Sequence, residues 1–138
     1  MRGAASGMDR DQFLAGLRDA LGAITNPRFF QTERGYQGEL LAALRYRLPA
    51  PVLPPEAILE QEHQKVFGAH GIKIRPDIII HEPFRAERHR SRREGNHAVI
   101  ELKRRSTAEE ARQDFASIEQ MFQHLDYRFG AFINIDSE

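Results

Sequence analysis

The stretch that decides the fold reads Arg75-Pro76-Asp77-Ile78-Ile79-Ile80-His81, and its counterpart reads His97-Ala98-Val99-Ile100-Glu101-Leu102-Lys103. Each stretch is apolar enough to form a buried strand of a sheet. Asp77 nevertheless interrupts the first, and Glu101 and Lys103 interrupt the second. A buried charge is costly unless it is paired or binds a metal ion. The two stretches therefore predict neighbouring strands that carry a shared polar site.

Length and composition predict a small globular protein. The chain has 138 residues, which suits one domain over residues 9–138 after a flexible leader at residues 1–8. It has no cysteine, which excludes disulfides, thiolate chemistry and Cys-ligated zinc. No apolar run approaches the ~20 residues of a membrane span, so we expect a cytoplasmic protein with no membrane partner. The 20 basic residues balance the 20 acidic ones, which counts against tight, non-specific binding to nucleic acid.

Hydrophobic spacing predicts the other elements of an α/β protein. We expect helices over residues 9–23 and 33–48, and strands over residues 72–82, 97–104 and 127–135. Because a helix separates the last two of these strands, the final strand should lie parallel to an earlier one.

The third helix is predicted in most detail. A capping box that begins at Ser106 or Thr107 starts it, and it runs to Leu125. Its apolar stripe, which we expect to be buried in the core, consists of Ala111, Phe115, Ile118, Phe122 and Leu125.

Residues 57–67 have two interpretations. Their Glu, Gln and Lys content favours a helix after Pro55. Their position before the turn-forming residues 68–71 and the strand at Ile72 favours the first arm of a β-hairpin. We favour the strand, because tertiary context often overrides local propensity.

The polar residues of the two key strands share faces. Side chains at i and i+2 of a strand point the same way, so Glu101 lies beside Lys103, and Asp77 shares a face with His81. Oxygen ligands suit Mg²⁺, and Asp77, Glu101 and the backbone carbonyl of Leu102 are the candidate ligands. Lys103 would then lie near a phosphate or an attacking water, which is an arrangement suited to hydrolysis of a phosphodiester bond.

Pro76-Asp77 followed by Glu101-Leu102-Lys103 resembles the signature of the PD-(D/E)xK, or restriction-endonuclease-like, nuclease superfamily. The resemblance implies an α-β-β-β-α-β core over residues 33–138. That core would hold a mixed four-stranded sheet flanked by helices, with one extra N-terminal helix. It further implies that Asp77 and Glu101 bind Mg²⁺ or Mn²⁺ and that Lys103 is catalytic. The implied substrate is DNA, and the resemblance admits a homodimer without requiring one.

The same resemblance implies roles for several residues outside the two key strands. Glu39 matches in position an acidic residue on the first core helix, and Gln120 or Gln113 loosely matches a glutamine on the helix after the second motif. His81 is a candidate neighbour of the metal ligands. Arginines between and after the two strands are candidate contacts to nucleic acid: Arg85, Arg88, Arg90, Arg92, Arg93, Arg104 and Arg105.

Each of these interpretations has a plainer alternative. Asp77 after Pro76 is also typical of turn chemistry at the start of a strand. Glu101 and Lys103 are also compatible with an exposed pair on an edge strand, and arginine runs are commonly solvated loops. The chain is accordingly also compatible with a catalytically inactive nuclease-fold module for nucleic-acid binding or protein assembly, or with a scaffold that has no site.

Overall fold

We analysed a computed structural model of the 138-residue chain. It describes residues 8–48, 53–54, 56–61, 65–67, 72–74, 76–83, 85–87 and 95–135. The candidate contacts Arg88, Arg90, Arg92 and Arg93 lie outside the described residues, as does the leader up to residue 7.

Two α-helices form the N-terminal layer. Helix α1 spans Arg10–Ala23 and is capped by Asp9, whose side chain accepts a hydrogen bond from the Gln12 N–H at 2.9 Å. A short 3₁₀ helix at Pro27–Phe30 leads into helix α2, Glu33–Arg47, which is capped by Thr32. Both helices are confirmed within a residue or so of their predicted ends. Met8 corrects the predicted leader: its apolar side chain is only 2% exposed and belongs to the core next to α1.

The strands form a mixed sheet of four strands and a separate hairpin of two among the described residues. The strands are β1 (Ile58–Gln61), β2 (Lys65–Phe67), β3 (Ile72–Ile74), β4 (Ile78–His81), β5 (Asn96–Arg104) and β6 (Phe129–Ile135). The strand interpretation of residues 57–67 is confirmed, because β1 and β2 fall within that segment and β2 pairs antiparallel with β3. The helical propensity of this segment is overridden by its pairing with the next strands.

The four-stranded sheet has the order β1-β4-β5-β6. β4 runs antiparallel to β1 and β5, whereas β6 runs parallel to β5. Helix α3, Ala108–Leu125, makes the crossover between the parallel strands. The predicted α/β class and the parallel final strand are therefore confirmed. Within the described part of the chain, no helix has both the length and the apolar character of a membrane span.

The two faces of the sheet are covered by different helices. Ile78, Ile80 and Ile100 lie in the larger core cluster with residues of α1 and α2. Ile79 and Val99 lie in a second cluster with α3. All five are 0% exposed, so β4 and β5 are central strands with both faces buried.

The apolar stripe predicted for α3 needs correction. Phe115 and Phe122 are 56% and 37% exposed, whereas Ile118 and Met121 are buried against the sheet. Helix α3 lies beside the edge strand β6, and the Phe115 ring packs on the Phe132 ring at 5.4 Å between centroids. The helix is therefore rotated so that position 114 lies in the sheet-facing row with Ile118, one turn away.

Candidate metal centre

The strand register brings Asp77 and Glu101 together. Ile78 pairs with Ile100 in the antiparallel ladder, so the residue before Ile78 lies opposite the residue after Ile100. The Leu102 N–H donates a hydrogen bond to Asp77 Oδ2 at 2.6 Å, and the Asp77 N–H donates one to Glu101 Oε1 at 3.3 Å. These reciprocal bonds hold the two carboxylates side by side on the α3 face of the sheet.

The local sequence explains this geometry. The same register, continued one step, brings Pro76 opposite Leu102, and proline has no N–H to donate to the Leu102 carbonyl. The Leu102 N–H is bound by the Asp77 carboxylate. Since the N–H and C=O of one strand residue point towards the same neighbouring strand, the Leu102 carbonyl also points towards the Asp77 side. All three predicted ligand positions therefore lie at one end of the β4–β5 pair.

Both carboxylates of the pair have raised pKa values. The pKa of Glu101 is raised to about 8, by burial first and by the charge of the neighbouring Asp77 second, while the hydrogen bond from the Asp77 N–H opposes the shift. Burial also raises the pKa of Asp77, against the effect of its bond to the Leu102 N–H. At neutral pH the pair thus retains a proton, which a bound cation would have to displace.

Lys103 lies two residues after Glu101 in β5, on the same face of the sheet, and is half-buried. Its charge favours the ionised forms of Asp77 and Glu101. Among the described residues, no carboxylate is close enough to form an ion pair with it. The ammonium group therefore supplies positive charge to the site without forming an ion pair with Asp77 or Glu101.

Two acidic residues that the sequence analysis did not select also act on this site. Glu33, in the first turn of α2, accepts a hydrogen bond from the Arg104 N–H at 3.2 Å, and its charge raises the pKa of Asp77. Asp114, in the sheet-facing row of α3, raises the pKa of both Asp77 and Glu101. Asp114 lies four residues before the apolar Ile118, and this spacing places it on the same helix face. Phe115 and Phe122 favoured a different apolar stripe, so this spacing was not used.

Glu39, the residue that the resemblance implies on the first core helix, is half-buried in α2. It lies six residues beyond Glu33, about 9 Å along the helix axis and about 120° around it. Of these two glutamates, Glu33 is the one whose charge raises the pKa of Asp77. A glutamate at a helix start also suits the helix dipole, so its position in the sequence did not mark it as a site residue.

The remaining candidates are distributed around the site. His81 lies about 13 Å along β4 from Asp77, where it binds Glu60 of β1. Gln113 and Gln120 are exposed on α3. Arg85 is exposed and forms an ion pair with Glu56 at 3.2 Å. His81 and the two glutamines are therefore not brought into contact with the carboxylate pair.

Arg104 and Arg105 follow Lys103 along the chain. By strand alternation the Arg104 side chain lies on the face of α1 and α2, opposite to Glu101 and Lys103, and its Nε donates to the Phe30 carbonyl at 2.8 Å. Both arginines line an open pocket of about 490 Å³ together with the 3₁₀ helix and its flanks: Thr25, Pro27, Phe30 and Gln31. The pocket therefore belongs to the layer of α1 and α2 and not to the α3 face that carries the carboxylate pair.

Comparison with known proteins finds no match to a family model, a curated protein or a solved structure. Over the described ranges, no three His, Asp or Glu side chains lie together as a ready metal cluster. The donor set at the end of β4 and β5 instead consists of two carboxylates and a backbone carbonyl. These are hard oxygen ligands, and such a set suits Mg²⁺ or Mn²⁺, which keep several water ligands.

Proposed function

We propose that this protein is a Mg²⁺- or Mn²⁺-dependent nuclease of the PD-(D/E)xK type that hydrolyses phosphodiester bonds of DNA. The observation that carries the proposal is the pair of reciprocal hydrogen bonds between Asp77 and the Glu101-Leu102 segment. These bonds hold two carboxylates, with raised pKa values, on one face of a central sheet beside Lys103.

The order of the elements supports the proposal. Helix α2 is followed along the chain by β1, β4 and β5 of the sheet, then by α3 and β6. This order agrees with the α-β-β-β-α-β order that the resemblance implies, with α1 as the extra N-terminal helix and the β2–β3 hairpin inserted between β1 and β4. The motif residues lie at the adjoining ends of the two central strands.

The candidate site residues have two different roles in the proposed hydrolysis. Asp77, Glu101 and the Leu102 carbonyl would hold the cation, which when bound polarises the phosphoryl group and lowers the pKa of a coordinated water. The Lys103 ammonium group stabilises the negative charge that develops on the phosphoryl oxygens, or orients the water that attacks. The sheet fixes the spacing of these groups, so no covalent nucleophile from the protein is required.

Basic residues at the end of β5 are compatible with a nucleic acid as substrate. Arg104 and Arg105 follow Lys103 along the chain and line a pocket beside the 3₁₀ helix, in the layer of α1 and α2. Guanidinium groups bind phosphates well because their donors match the spacing of two phosphate oxygens. A local contribution of this kind is compatible with a chain of zero net charge.

The proposal is tested by cleavage of plasmid and oligonucleotide DNA with Mg²⁺ or Mn²⁺. We expect the wild type to cut, Asp77→Asn to be inactive, and Lys103→Ala to lose at least about 100-fold in rate, as for removal of one group that stabilises the transition state. Asp77→Asn keeps an oxygen for the Leu102 N–H, so its melting temperature should stay close to that of the wild type.

The matched control is Glu119→Gln, which removes a carboxylate from the exposed side of α3 and should leave cleavage unchanged. Wild-type protein that binds DNA in a salt-sensitive manner but cuts nothing with either metal would favour the inactive nuclease-fold module. Cleavage that survives in Asp77→Asn would contradict the assigned ligands.

A further inference from the structure

Asp114 is a half-buried residue in the row of α3 that faces the sheet, where an apolar side chain is the usual choice. It lies one turn before Ile118, which is 4% exposed and packs on Ile79 and Val99. Helix α3 runs antiparallel to β5. One turn towards the start of α3 therefore covers about the same distance as the two residues from Val99 to Glu101 in β5. Asp114 is therefore directed at the part of the sheet that carries Glu101 rather than at the apolar cluster.

The Asp114 carboxylate is incompletely satisfied by the chain. Its Oδ2 is buried, and among the described residues no donor lies within hydrogen-bond distance of it. Burial raises the pKa of Asp114, Lys103 opposes the shift, and Glu33 and Glu110 reinforce it. A buried acceptor without a donor costs about 1–3 kcal/mol, so a carboxylate is a poor choice at this position for stability alone.

Asp114 lies near the carboxylate pair but is not part of a shared ligand set. Its charge acts on both Asp77 and Glu101. Within the described ranges, however, no three acidic or His side chains are close enough together to hold one ion. Asp114 is therefore not a third direct ligand of the same ion, which leaves contact with the water ligands of that ion as its route to the site.

We propose that Asp114 is a positioning residue for the cation site, and that its buried Oδ2 accepts a hydrogen bond from a water coordinated to the divalent ion. This inference rests on the proposed metal site at Asp77 and Glu101. Mg²⁺ and Mn²⁺ retain several water ligands, which are strong donors and which direct protein ligands do not fix by themselves. A carboxylate on α3 would fix one of these waters from the face opposite the sheet.

The test measures the affinity for Mn²⁺ by isothermal titration, at one neutral pH and without DNA. We expect Asp114→Leu, which removes the acceptor oxygen, to bind Mn²⁺ about tenfold more weakly than the wild type, as is typical for the loss of an outer-sphere partner. Glu119→Gln removes one negative charge from the exposed side of the same helix and should retain wild-type affinity. The melting temperature of Asp114→Leu in EDTA should be equal to or above that of the wild type, since the substitution removes a buried charge.

A second variant separates positioning from simple attraction by charge. Asp114→Asn removes the charge but keeps an amide oxygen that can accept a hydrogen bond from a coordinated water, so it should retain most of the wild-type affinity. An affinity as low as that of Asp114→Leu would overturn the positioning role.

The remaining outcomes distinguish this inference from the proposal on which it rests. If the wild type binds Mn²⁺ and Asp114→Leu binds it equally well, Asp114 has no outer-sphere role, while the site at Asp77 and Glu101 stands. If the wild type binds no Mn²⁺ and Asp77→Asn behaves identically, the metal site itself is refuted, and the role of Asp114 with it.

Discussion

The two ends of the β4–β5 pair handle buried charge in opposite ways. At the end where β4 finishes and β5 starts, the carboxylates are matched with imidazoles: His81 Nε2 binds Glu60, and His97 Nε2 lies 3.0 Å from Glu82 Oε2. At the other end, Asp77 and Glu101 lie beside each other and share backbone N–H donors.

Under the proposed function, the difference separates a structural end from a candidate functional end. The His97 and Glu82 side chains are 4% and 6% exposed, and each offers the other a complementary partner within the fold. At the carboxylate end, burial and then neighbouring acidic groups raise the pKa of both Asp77 and Glu101, at a cost in stability. Such an arrangement is expected where a cation from outside the chain completes the site.

The largest predicted effect on stability is at the carboxylate end, in Glu101→Gln. The pKa of Glu101 is about 8 in the folded protein against 4.5 for an unperturbed glutamate. Because the folded state holds the proton more tightly, the wild type loses stability as pH rises from about 4.5 to about 8. One pKa unit corresponds to about 1.4 kcal/mol, so the difference reaches on the order of 5 kcal/mol above pH 8.

Glu101→Gln should therefore be more stable than the wild type at alkaline pH in EDTA, and similar to it near pH 4. Urea unfolding across this range measures the difference. Parallel curves for the two proteins would mean that the carboxylate pair does not hold a proton at neutral pH.

The middle effect is at the His–Glu end, in His97→Leu. This change leaves the Glu82 carboxylate buried without its imidazole, and we expect the free energy of unfolding to fall by about 2 kcal/mol. Stabilisation by Mn²⁺, measured as a rise in melting temperature, should be the same in His97→Leu and in the wild type. A loss of the Mn²⁺ response in this variant would remove the distinction between the two ends.

The smallest effect is expected at the arginines that follow the carboxylate end. Arg105→Ala should weaken DNA binding modestly and reduce the slope of log K against log salt by about 1. Arg18→Ala, on the exposed side of α1, is the matched control and should leave the slope unchanged. Equal slopes for both variants would show that the phosphates do not approach the pocket beside Arg104 and Arg105.

The shared face of Glu101 and Lys103 and the central position of both strands were predictable, because they follow from short-range rules. A strand has a period of two residues, so Glu101 and Lys103 had to share a face. The apolar neighbours of both motifs required central strands, and a helix between two strands required a parallel final pair. The structure shows each of these features.

The rotation of α3 was not predictable in the same way. Two stripes compete on this helix, and both contain Ala111 and Ile118. The sequence favours the stripe that contains Phe115 and Phe122. In the structure both rings are exposed, and the Phe115 ring packs on Phe132 of the edge strand β6. Which stripe faces the sheet depends on what the neighbouring strand offers, and the choice decides whether Asp114 points at the site or at solvent.

The sequence by itself determined the elements of secondary structure and their order, because strand alternation, capping and hydrophobic spacing act over a few residues. Only the tertiary structure decided that Asp77 lies opposite Glu101, and which acidic residues of the helices act on this pair. Glu33 and Asp114 raise the pKa of Asp77 because the rotation and offset of their helices, which are set by packing across the whole core, bring their charges near it.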